Sequence, residues 1–164
     1  MKKLVIITAV LFNMFLMSCS VEEEVSTSGN STTEVVNVTY TTLDYEIAEL
    51  INAHRISQGL NALNILNAAS KEAIVHNQYM ASQGTISHDY FSERSQNLKN
   101  AVNAKKVSEN VGYGYSSAAS IVNAWLNSDG HRQAIENPSY TDFGISSKED
   151  ETGSNYVTNI FVKL

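Results

Sequence analysis

The sequence predicts an α+β domain, a sheet covered by helices, and three observations predict it. Segments with apolar residues at helical spacing outnumber those that alternate like strands. The strand-like segments gather in the second half of the chain. No glycine-rich phosphate loop joins a strand to a helix, so the order of elements argues against a doubly wound nucleotide fold. A chain of 164 residues fits one folded unit, and 43% hydrophobic with 17% charged residues suits a globular core rather than a disordered chain.

The first helix begins at Asp44, read as its N-cap, carries Ile47, Leu50, Ile51 and His54 at i, i+3, i+4 and i+7, and stops near Gly59. A second covers Asn67 to Ser82, with Ala69, Ala73, His76 and Met80 on one stripe and Gly84 beyond its end. A more polar helix follows from Ser92 to Val102. From Lys106 to Tyr113 the period changes to two, which makes a strand and sets Glu109 on the same face as Val107 and Val111. A carboxylate on such a face needs a partner. Ser117 caps the next helix, in which Ala118, Ile121, Val122, Trp125 and Leu126 form one apolar stripe, ended by Asp129-Gly130. Ser128 reads as the N-cap of a short helix carrying His131 to Glu136 and closed by Asn137-Pro138. Two strands, Thr141 to Ser147 and Asn155 to Leu164, complete the domain around a turn at Gly153-Ser154.

Charge excludes some partners. The net charge is −6, and the only basic pair in the folded part is Lys105-Lys106, so no basic footprint for nucleic acid exists. The same negative charge repels an anionic bilayer, so membrane attachment requires an anchor. Lys2 and Lys3 precede an apolar run from Leu4 to Met17 that is shorter than a membrane span of about 20 residues and suits a signal peptide. The tetrad Leu16-Met17-Ser18-Cys19 resembles a bacterial lipobox, which implies lipidation of Cys19, a membrane partner through that anchor, and an extracytoplasmic place in a bacterial envelope. Cys19 is the single cysteine, so the mature chain forms no internal disulfide. The expected organisation is a signal peptide at 1–18, lipidated Cys19 and a flexible tether at 19–43, and the folded domain at 44–164.

Five segments carry the chemistry: Asn52-Ala53-His54-Arg55, Ser87-His88, Glu109-Asn110-Val111, Trp125 through Arg132, and Tyr140-Thr141-Asp142-Phe143-Gly144-Ile145. Their order and spacing resemble the CAP superfamily, or SCP domain, and especially its short bacterial members. The resemblance implies a three-layer α-β-α sandwich with a cleft lined by His88, Glu109 and His131. A fourth family position, an acid three residues after the helix tryptophan, is Ser128 in this chain.

Two imidazoles and a carboxylate can supply three zinc ligands with an open fourth position, so zinc or another divalent cation is the cofactor to test at His88, Glu109 and His131. Near a helix start, His131 is expected to favour its neutral form. The alternative is that the same groups hydrogen-bond one another to hold the cleft. His54 and His76 read as packing histidines, and Arg55 and Arg132 as bridges to carbonyls or carboxylates. Gly114-Tyr115-Ser116-Ser117-Ala118 superficially resembles a nucleophile elbow, but an N-cap serine explains it better. No catalytic residue is assigned. A binding or interaction module for a small molecule, lipid, peptide or protein is favoured; a metal-dependent hydrolase and a structural envelope protein are the other readings.

Overall fold

The computed structural model describes residues 37–164. The signal segment, Cys19 and most of the tether lie outside the described residues. No helix among the described residues is long and apolar enough to cross a membrane.

The elements are α1 (Thr42–Ser57), β1 (Asn64–Ile65), α2 (Asn67–Gln83), α3 (Phe91–Val102), β2 (Lys106–Tyr113), α4 (Ala118–Leu126), α5 (Asp129–Ile135), β3 (Asp142–Glu149) and β4 (Asn155–Lys163). The strands form one sheet in the order β1-β3-β4-β2, antiparallel except for the short parallel pair β1 with β3. That pair is too brief for sequence alternation to reveal.

Alternation along β4 divides the core into two layers. Val157 and Phe161 join Phe143 and Ile145 of β3 under α1, α4 and α5, with Ile47, Ile51, Ile121 and Trp125. Ile160 and Val162 face the other way, onto Ala69 and Ala73 of α2 and Leu98 of α3. The result is the α-β-α sandwich, with α1, α4 and α5 on one face and α2 and α3 on the other.

Local chemistry explains several motif residues. Asn52 clamps the start of β1, donating to Leu63 O at 2.9 Å and accepting from Leu63 N at 2.8 Å. Arg55 is buried and donates to the carbonyls of Asn61 and Asn137, as its bridging role requires. Gly144 lets α2 lie directly on β3, because a Cβ there would stand 2.2 Å from the backbone of Ala69 and Ser70. Ser70 Oγ in turn accepts from Ile145 N at 3.1 Å.

The N-terminal boundary needs correcting. Thr41, not Asp44, caps α1; Asp44 sits one turn in and completes a capping box by accepting from Thr41 N at 2.8 Å. Tyr40, assigned to the tether, hydrogen-bonds Asn67 and Ser70 at 2.9 Å each. The last tether residues are therefore part of the folded unit, tied down by side chains that composition alone does not single out.

Candidate functional site

β2 is an edge strand of the sheet, and its successive residues point to opposite layers. Glu109 faces α2 and α3, whereas Asn110 faces α5 and donates to His131 O at 3.1 Å. One Glu-Asn dipeptide thus organises both sides of the sheet edge.

The Glu109 side chain is 1% exposed and its charge is fully matched. Arg94 of α3 donates from Nε to Oε2 and from Nη2 to Oε1, both at 2.8 Å. His88, on the loop between α2 and α3, meets Oε1 through Nδ1 at 2.8 Å. Arg94 also donates to Asp89 O at 2.7 Å, so it fixes the loop that carries His88. Burial pushes the Glu109 carboxyl upward, but the hydrogen bonds from His88 and Arg94 and the Arg94 charge outweigh it and hold the group below its ordinary value.

His76 of α2 adds to this cluster. Its Nε2 lies 2.8 Å from Ser87 O and 3.8 Å from Glu109 Oε1, while Nδ1 is buried without a partner. A ring nitrogen facing a carbonyl must be the donor, so Nδ1 carries a lone pair. Burial lowers its proton affinity more than Glu109 raises it, and the imidazole is neutral near pH 7.

His131 and Ser128 occupy the opposite layer. With Ile86, Tyr113, Tyr115 and Trp125 they line an open cleft of about 390 Å³. Burial is the main cause that lowers the His131 pKa, with repulsion from His88 second. These causes differ from the helix dipole expected from the sequence. Ser128 holds the N-cap position of α5 but makes no side-chain cap bond, so its expected capping role is not realised. Ser117 does cap α4, accepting from Ser120 N at 3.2 Å, which accounts for the elbow-like segment.

The sequence-predicted residues His88 and Glu109 are therefore brought into direct contact, and His131 with Ser128 lines the adjoining cleft. Arg94 and His76 escape sequence reasoning as site residues. Arg94 shares a helical stripe with Leu98 and Val102, and a charged residue on that stripe is the available signal for the partner Glu109 requires. His54, expected to pack, instead meets Glu136 Oε1 at 2.8 Å on a partly exposed face away from the cluster.

Of the three expected metal ligands, Glu109 is engaged by Arg94. Both oxygens of Glu109 accept from a guanidinium, and a cation at the carboxylate would have to displace that charge. Among the described residues no group of three or more His, Cys, Asp or Glu side chains is arranged to hold a metal ion.

The fold and this edge-strand cluster together define a CAP-type domain. A profile described as the cysteine-rich secretory protein family, CAP, matches residues 48–162, and the chain belongs to that family. In Bacillus subtilis, the uncharacterized protein YkwD is 34% identical over 107 residues, covering 63% of this chain and 42% of the relative. The uncharacterized membrane protein YlbC of the same organism is 30% identical over 126 residues, covering 75% of this chain and 35% of the relative. The chain therefore spans less than half the length of these curated relatives. An outer surface protein of Borrelia burgdorferi superposes with a TM-score of 0.67 at 25% identity, covering 76% of this chain and 96% of that one. A cysteine-rich secretory protein of Staphylococcus aureus gives 0.61 at 28% identity over 74% of this chain and 39% of its own.

Proposed function

We propose that this protein is an extracytoplasmic CAP-domain binding module, held at a bacterial envelope by lipidated Cys19, with its ligand site in the cleft lined by His131 and Ser128. The relatives described as outer surface and secretory proteins support the placement. The observation that carries the binding reading is the division of labour at β2. Glu109 is committed to Arg94 and His88, which leaves it no role as a base, while the cleft beside it has apolar walls and a polar end. Such a cleft suits a ligand with an apolar body and one hydrogen-bonding end.

The chain has a single tryptophan, Trp125, and it lines this cleft, so its emission reports occupancy. Titration of the full chain with octanoate and with a dileucine amide should give a saturable change for at least one probe. His131→Ala should weaken it about tenfold, the loss of one hydrogen bond, and His54→Ala should leave it alone. No saturable change, or equal loss from both variants, overturns the assignment. For the anchor, Cys19→Ser should abolish incorporation of labelled fatty acid and release the protein from the envelope fraction; unchanged labelling overturns it.

A further inference from the structure

A second concavity, of about 270 Å³, opens between α2 and α3. One wall is aromatic and apolar. Tyr79 and Tyr90 meet edge to face with centroids 5.3 Å apart, and Val75 beside them is 56% exposed. Tyr79 is pinned, since its hydroxyl donates to Asp89 Oδ2 at 2.8 Å. Tyr90 is 63% exposed and sits at φ 59°, a left-handed conformation that is costly for a bulky residue. Little burial of its ring offsets that cost.

The charges of the groove are unbalanced. Arg94 reaches it but is already neutralised by Glu109. Glu72 and Glu93 also line it, and neither makes an ion pair among the described residues. Glu72 accepts only a neutral amide, that of Asn97, at 3.2 Å. His76 also lines the groove, its ring stacked with that of Tyr79 at 6.1 Å between centroids and its acceptor nitrogen Nδ1 lacking a donor. Aromatic faces, two carboxylates without countercharge and an unfilled acceptor all select a flat cation that only donates.

We infer that the α2–α3 groove docks the arginine side chain of a peptide or protein partner. The guanidinium would lie against Tyr79 or Tyr90 and pair with Glu72 and Glu93, beside the His76 ring. The negative net charge of the chain, −6, favours approach of such a partner. This site is distinct from the His131 cleft, which lies in the other layer, so either assignment can fail without the other.

The test is calorimetric titration of the full chain with an acetylated Gly-Arg-Gly amide, against the same peptide carrying citrulline, a neutral isostere, and carrying lysine. Arginine should bind at least about tenfold more tightly than citrulline, with lysine between them, because lysine keeps the charge but not the planar stacking. The double change Glu72→Gln and Glu93→Gln should remove most of that advantage, as should raised salt, and Tyr90→Ala should weaken binding. All three residues are at least partly exposed, so these variants should fold. His131→Ala should have no effect. Equal binding of arginine and citrulline, insensitivity to the double change, or dependence on His131 each overturns the inference.

Discussion

Arg94→Met would leave Glu109 buried with its main countercharge removed, and the size of the penalty follows from the geometry. The carboxylate loses two charge-assisted hydrogen bonds of 2.8 Å and keeps only the one from His88. Each such bond contributes about 1.5–3 kcal/mol, and breaking one side of a buried pair costs about 3–5 kcal/mol, so a loss in that range is expected at pH 7. It would remove a large share of a typical stability of about 5–15 kcal/mol. The pH dependence separates this cause from simple loss of packing. In the wild type the Glu109 carboxyl is held below its ordinary value of 4.5, so its contribution is present above that pH and disappears as pH falls through the depressed value. In the variant, burial dominates and raises the carboxyl, so the folded state recovers stability as pH falls from neutrality and the group protonates. The difference between the two proteins should therefore shrink from pH 7 towards pH 4. Urea denaturation followed by Trp125 emission measures it, and adding Glu109→Gln to the variant should restore part of the loss. A cost below about 1 kcal/mol, or one that does not change with pH, would refute the assignment of Arg94 as the essential counterion.

Three further outcomes are expected. Trp125→Ala removes a side chain 2% exposed whose indole donates to Val111 O at 2.9 Å, and should cost about 3–5 kcal/mol by circular-dichroism denaturation. Gly144→Ala drives a methyl into the backbone of α2 and should cost about 3 kcal/mol or more, read as a fall in Tm. Calorimetric titration with Zn²⁺ should show weaker binding by the wild type than by Arg94→Met, which frees Glu109; tight binding by the wild type, lost in His88→Ala and His131→Ala, would show that Glu109 leaves Arg94 when metal arrives.

Long periodic segments are legible in the sequence because each buries one face. The alternation around Glu109 places β2 to the residue, and the stripe through Trp125 places the start of α4; its end does not follow the expected break, since α4 stops at Leu126 with Asn127 as its C-cap, and Asp129-Gly130 open α5 instead. What escapes is fixed by tertiary contact. β1 exists only because β3 lies beside it, and the Thr41 cap competes with an equally suitable Asp44 that turns out to serve the capping box. In the site, motifs locate His88, Glu109 and His131, yet the partner that decides the chemistry, Arg94, belongs to no motif. Its role rests on the approach of α3 to β2, which spacing along the chain does not encode. His76 is legible as a buried residue, but not as a neighbour of Glu109.

β4 follows every other described element in sequence, yet it sits between β3 and β2, and β2 joins the sheet only through it. That placement orders the assembly. Until residues 155–163 emerge from the ribosome, β2 has no strand to pair with, and Glu109 has no sheet to carry it beneath Arg94. Helices can form earlier from local contacts, but the sheet must wait for pairings of long sequence separation, which are slow. For a chain exported as proposed, crossing a membrane as an extended thread, that delay is useful: the strand that locks the domain is the last of its strands to be made, so the polypeptide stays threadable while it is being synthesised.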